Sequence, residues 1–155
     1  MKYFAFGANM DRRHMAITAP RAVRLGTARL EHHRVIIARA GYGSLAAAPD
    51  RVTHGVLWDL DEAGAAALDR FEGVPEGVYR RSEAEVATAA GPVRAMVYLA
   101  CDDRPGIAEP AYLKQILSAA REEGFPPEYL SGLAALPVRP GDPDGTWTEP
   151  TGPRP

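Results

Sequence analysis

The chain has 155 residues, of which 46% are apolar and 25% charged, the make-up of one globular domain long enough to bury a core without staples. Its single cysteine, Cys101, excludes a disulfide framework and a CxxC metal set, and no apolar run approaches the ~20 residues of a membrane-spanning helix. The net charge of −2 hides an asymmetry: residues 1–55 hold nine Lys/Arg against three Asp/Glu, and the remainder nine against seventeen. The early arginines, from Arg12 to Arg39, are scattered, which favours solvated strand faces first, a locally positive pocket for a small anion second and a nucleic-acid surface last. The opening residues lack the apolar stretch of a signal peptide, so the expectation is a soluble, cytoplasmic protein.

Lys2 to Phe6 reads as a short aromatic strand ended by Gly7, with Asn9 or Asp11 placed to cap a short helix to about Ile17. A strand, a glycine turn and a helix start leave backbone N–H groups pointing outward, an arrangement that suits a carboxylate or oxyanion. Segments 22–30 and 32–40 are expected as two further strands, the first bulged at Gly26. Ser44 to Ala48 is expected as a short extended piece stopped by Pro49. Thr53 to Leu60 is a strand feeding a helix capped by Asp61, with Ala67, Leu68 and Phe71 as its apolar stripe and Gly73 as its stop. Residues 78–87 and 93–100 form a hairpin; Pro110 opens a helix to about Glu123, and Pro126-Pro127 a shorter one to about Leu136. The Pro/Gly-rich tail 137–155 is expected to be extended or disordered, leaving 1–136 as the domain. Neighbouring antiparallel strands with helical insertions imply an α+β fold around a small curled sheet or barrel.

Glu72 closes the helix that Gly73 stops. A carboxylate at the negative end of a helix dipole is disfavoured by roughly 0.3–1 kcal/mol, so it is either a tolerated surface charge or a carboxyl kept at a high pKa. Other chemistry finds little support. His32 and His33, adjacent on a strand, point to opposite faces; His14 and His54 are isolated; no nucleophile elbow, G-x-G-x-x-G or Walker motif occurs. Cys101 is expected to be a buried small hydrophobe. Glu72, the opening glycine turn and a few tyrosines remain.

Those remaining stretches carry a resemblance. Tyr3-Phe4-Ala5-Phe6-Gly7-Ala8-Asn9-Met10 resembles the Y-F-A-Y-G-S-N-L/M opening of the γ-glutamylcyclotransferase-like (AIG2-like) family. Leu68-Asp69-Arg70-Phe71-Glu72-Gly73-Val74 with Gly77-Val78-Tyr79-Arg80 resembles its L-D-x-x-E-G-V…G-x-Y-x-R signature, and the stretches from Pro110 and Gly124 are similar to its C-terminal helices. The resemblance implies a small mixed β-barrel with flanking helices, no metal and no cofactor. The implied reaction is cyclisation of a γ-glutamyl amine to 5-oxoproline with release of the amine. It implies Glu72 as general acid/base, and Tyr3, Phe6, Gly7, Ala8 and Asn9 as a cradle for the glutamyl group working largely through backbone N–H. Tyr79 would brace the site and Tyr112 would contact substrate. Glu76 is a rival carboxylate in the same loop. Two positions depart from the pattern: Phe6 replaces a tyrosine and Ala8 a serine. The substrate is expected to be a small molecule, with no nucleic-acid or membrane partner. A non-catalytic module binding a small anion on the same fold is the alternative, and a weak nucleic-acid binder using the early arginines a third.

Overall fold

In the computed structural model, which describes residues 1–140, five strands close into a mixed barrel in the order β1-β3-β2-β4-β5. These are β1 (Lys2–Ala5), β2 (Val23–Ile37), β3 (Gly43–Asp59), β4 (Tyr79–Thr88) and β5 (Gly91–Ala100). The helices are α1 (Arg12–Thr18), α2 (Glu62–Phe71), α3 (Pro110–Glu122) and α4 (Pro127–Ala134). All pairings are antiparallel except β1 with β5, where Tyr3 lies beside Met96, and this parallel contact makes the barrel mixed.

The largest departure from the sequence reading lies in β2 and β3, two long strands where four short pieces were expected. Pro49 does not end β3. The ladder jumps there from Glu31↔Val52 to His33↔Ala47, so the missing N–H of Pro49 falls in a bulge where no ladder bond is needed. His32 sits opposite, at a φ of 61°, with its Nδ1 2.8 Å from the Pro49 carbonyl oxygen. The Nδ1 of His33 lies 2.8 Å from the Glu31 carbonyl oxygen. The strict alternation assumed for this pair is therefore broken. The other expected bulge is present between Arg24 and Gly26, where Gly26 adopts a φ of 129° that a side chain would resist.

Local signals placed the helix ends well. Asp11 caps α1 by accepting from the Arg13 N–H, and Asp61 caps α2 by accepting from the Gly64 N–H at 2.7 Å. Gly73 and Gly124 follow α2 and α3 with φ of 69° and 72°, the left-handed conformation that stops a helix. The buried stripe of α2 is Gly64, Ala65 and Leu68, while Ala67 and Phe71 are only half-buried. Leu68 has no exposure, a burial worth roughly 1.5–3 kcal/mol. Cys101 is exposed, against expectation: it follows the last residue of β5, where the chain leaves the barrel wall and its N–H donates to the Val78 carbonyl. Residues 137–139 are tied back by a parallel bridge between Val138 and Ala108, and the rest of the expected tail lies outside the described residues. Among the described residues no helix is long and apolar enough to cross a membrane.

Candidate active site

Strand direction brings the chemistry to one end of the barrel. β1 and β5 run parallel, so Phe6-Gly7 and Ala100-Cys101 emerge at the same end, and antiparallel β4 starts there with Tyr79. The β2–β3 hairpin extends past the end of β1 and curls over: Ser44 Oγ accepts from the Ala100 N–H at 3.0 Å. α2 returns its C-terminal end to the same place.

Glu72 caps the C-terminal end of that helix, its N–H bonded to the Leu68 carbonyl, and only 6% of it is exposed. Asn9, 3% exposed, donates from Nδ2 to Glu72 Oε1 at 3.0 Å and to the Tyr3 hydroxyl at 2.8 Å. The Asn9 backbone is fixed in turn by the Trp58 indole N–H, which donates to its carbonyl at 3.0 Å. A short 3-10 turn over Ala8–Met10 holds Asn9 in place, with the Met10 N–H bonded to the Gly7 carbonyl. The N–H groups that begin this turn have no acceptor within it.

On the opposite side, Gly43 at the hairpin tip is clamped by two tyrosines. The Tyr79 hydroxyl donates to the Gly43 carbonyl at 2.6 Å, and the Gly43 N–H donates to the Tyr112 hydroxyl at 2.8 Å. That phenol oxygen would lie 3.3 Å from a Cβ added to Gly7 and 3.1 Å from one added to Gly43, so Tyr112 bridges the two glycine segments at close range. Tyr42 packs edge-on against Tyr112, ring centroids 5.1 Å apart. Tyr112→Phe would leave the buried Gly43 N–H without this acceptor and is expected to destabilise the fold by about 1–3 kcal/mol, read by denaturant unfolding.

Tyr3, Phe6, Gly7, Ala8, Asn9, Glu72, Tyr79 and Tyr112 thus converge on one end of the barrel. Glu76 does not join them: it is exposed in the turn beyond Gly73. Phe6 and Ala8, the departures from the family pattern, are 6% and 5% exposed. The Phe6 ring packs against Phe4, with centroids 6.4 Å apart.

A family model described as AIG2-like matches residues 52–133, which include the Glu72 helix end, the β4–β5 hairpin and the last two helices. The chain belongs to the AIG2-like family. Among its relatives, the γ-glutamylcyclotransferase of Mus musculus is 29% identical over 145 residues, covering 86% of this chain and 77% of that protein. The Homo sapiens γ-glutamylcyclotransferase is 28% identical over 158 aligned positions, covering 95% and 83%. A solved γ-glutamyl cyclotransferase superposes with a TM-score of 0.85 at 28% identity, covering 96% of this chain and 94% of that one. A Bacillus subtilis protein shares the fold at a TM-score of 0.75 and 21% identity, over 90% of this chain and 56% of that one.

Three features of this AIG2-like protein escaped the sequence reading. Gly43 carries no sequence signal for its role: its backbone is the anchor for both tyrosines, and flanking Tyr42 and Ser44 give no hint of that. Trp58, a strand residue by pattern, supplies the indole that fixes Asn9. The third is a polar path beneath Tyr3. Tyr98 packs edge-on against Tyr3, centroids 5.4 Å apart, and donates its hydroxyl to Asp69 Oδ1 at 2.7 Å. Asp69 also takes a bidentate pair from Arg81 at 2.8 and 2.7 Å. Burial alone would raise the Asp69 carboxyl, but the hydrogen bonds from Arg81 and Tyr98 outweigh it and hold it below the usual carboxylate range. Burial, reinforced by the bond to Asp69, pushes the Tyr98 phenol well above its ordinary value.

Proposed function

We propose that this protein is a γ-glutamyl amine cyclotransferase, releasing 5-oxoproline and a free amine from a small γ-glutamyl substrate. The observation that carries the reading is Glu72, a buried carboxylate at the end of α2, hydrogen-bonded by Asn9 from the glycine turn. Kinship to γ-glutamylcyclotransferases over most of the chain supports it.

The chemistry asks for one titratable group and a folded substrate. At neutral pH the α-amine of the glutamyl group is an ammonium and cannot attack, so a base must first remove a proton. Glu72 takes that proton, and the freed amine attacks its own γ-carbonyl. The ring C–N bond forms, the γ-amide C–N bond breaks at collapse, and Glu72 returns a proton to the departing nitrogen. Overall, two protons leave the α-nitrogen and two arrive on the released amine, which departs as an ammonium at neutral pH. The nucleophile is tethered to its target, so the protein contributes most by holding the glutamyl chain in a folded, near-attack shape. Gly7, Ala8 and Asn9 offer backbone N–H groups to the anionic parts of the substrate, while Tyr79 and Tyr112 fix the hairpin tip that walls the site.

Asn9 does two things for Glu72. Its N–H bond favours the ionised carboxylate, which accepts protons, and it fixes the oxygen that receives the bond. Burial acts the other way and favours the neutral acid, which donates them. A shuttle needs both forms within reach at working pH.

The test is 5-oxoproline release from γ-glutamyl-L-alanine, ε-(γ-glutamyl)-L-lysine and a γ-glutamyl polyamine. Release from at least one, with stoichiometric free amine, is the expected result. Silence on all three, together with no ligand-induced rise in melting temperature, overturns the proposal.

A further inference from the structure

The Asp69–Arg81 pair is spent neither on the barrel's core nor on the substrate cradle, yet it sits one helical turn from Glu72. Residues three apart on a helix share a face, with Cβ atoms about 5–6 Å apart. Asp69 therefore lies on the flank of α2 that carries Glu72, and a second path joins them: Asp69 to the Tyr98 hydroxyl, Tyr98 to the ring of Tyr3, and the Tyr3 hydroxyl and Glu72 to one amide nitrogen of Asn9. An isolated Asp69 would repel a charge on Glu72. Arg81, reaching from β4, cancels that negative charge through two short bonds.

We infer that the Asp69–Arg81 pair is an electrostatic balance for Glu72: its two charges offset one another and so set the pH range in which the base accepts a proton. The inference rests on the cyclotransferase reading and adds two residues to it, neither touching substrate.

The other polar and titratable groups around this helix end come from every element packed there. Tyr3 is on β1, Asn9 in the 3-10 turn, Tyr98 on β5, Tyr79 on β4 and Tyr112 on α3; His14 of α1 stacks on Phe71, centroids 4.7 Å apart. Arg70 belongs to α2 itself and is exposed. Tyr3, Tyr79, Tyr98 and Tyr112 are all buried phenols, and burial with the bond to Asp69 raises the Tyr98 hydroxyl well above its ordinary value. Among these groups the Asp69–Arg81 pair is the place where a formal charge is both present and paired, so either partner can be removed to expose the other. The two side chains are 24% and 36% exposed, so solvent screens the effect without abolishing it.

The signs are opposed, and that makes the inference testable. Asp69→Asn leaves Arg81 unbalanced, favours the Glu72 carboxylate and moves the acid limb of kcat/KM to lower pH. Arg81→Gln leaves Asp69 unbalanced, disfavours the carboxylate and moves the limb to higher pH. A shift of about half a pH unit each way is expected, so on the limb the first variant runs about threefold faster, relative to its own plateau, and the second about threefold slower. Arg81→Lys keeps the charge and returns the limb to the wild-type position.

The experiment is the kcat/KM–pH profile of wild type and these three variants, using the panel substrate cleaved fastest. Opposed displacements with rescue by lysine support the inference. Plateau losses with an unmoved limb, or displacements of the same sign, overturn it and leave the cyclotransferase reading standing. A wild type that releases no 5-oxoproline removes both. Arg81 lies largely at the surface, so the Gln and Lys variants keep the comparison available even where Asp69→Asn does not fold.

Discussion

On the cyclotransferase reading, Glu72→Gln is expected to lower 5-oxoproline release by about 10²–10⁴-fold, the usual contribution of a positioned general acid/base, while KM changes by only a few-fold. Gln keeps the volume of the side chain and an oxygen for the Asn9 Nδ2 donor, but it cannot take a proton from an ammonium or return one to a leaving amine. Because the amide keeps the hydrogen bond and carries no charge to be desolvated, the variant should melt within a few degrees of wild type. The check is steady-state release of 5-oxoproline beside calorimetric melting of both proteins. A variant as active as wild type places the proton transfer elsewhere. Glu76 is then a poor successor, since it is exposed in the turn after Gly73.

The second large effect is expected far from any titratable group. Gly55 lies in β3 opposite Ala28, just beyond the stretch where β1 pairs with β3. A Cβ there would fall 2.4 Å from the Ala5 carbonyl oxygen and 2.5 Å from the Phe4 ring. Neither neighbour can yield easily: one is strand backbone and the other a fully buried ring. The backbone conformation of Gly55 is open to any residue, so the demand is for space alone. Gly55→Ala should cost about 3 kcal/mol, the upper end for overpacking, and move the urea midpoint accordingly with an unchanged slope. Since β1 leads straight into Phe6, Gly7 and Asn9, the variant should also lose turnover at temperatures where it remains folded. Stability within experimental error of wild type would mean that β1 and β3 can separate locally, and the rigid cradle assumed for the glutamyl group would go with it.

Much of the architecture was legible because its signals are local. Asp11 and Asp61 as caps, Gly73 and Gly124 as stops and Pro110 at a helix start each act within a few residues through backbone sterics and single hydrogen bonds. The same locality placed Glu72 at a helix end, and the order of its motifs pointed to the family to which the chain belongs. Local signals misled where the sheet overruled them. Pro49 and the gap between segments 22–30 and 32–40 read as breaks, but two paired strands can absorb an extra segment as a bulge and continue, since one ladder irregularity is small against the bonds on either side.

What only the tertiary structure decided is who meets whom. Asn9 and Glu72 are 63 residues apart, Gly43 and Tyr112 are 69 apart, and Tyr98 and Asp69 are 29 apart. Each contact depends on strand register, on the parallel β1–β5 contact that brings two chain ends to one rim, and on the curl of the β2–β3 hairpin over that rim. None of these is encoded near the residues concerned; they follow from closing the whole barrel. The sequence by itself therefore determined which residues could do acid/base chemistry and on which elements they ride. Barrel closure determined that Asn9 holds Glu72, that two tyrosines hold Gly43, and that a charge pair lies one turn before Glu72.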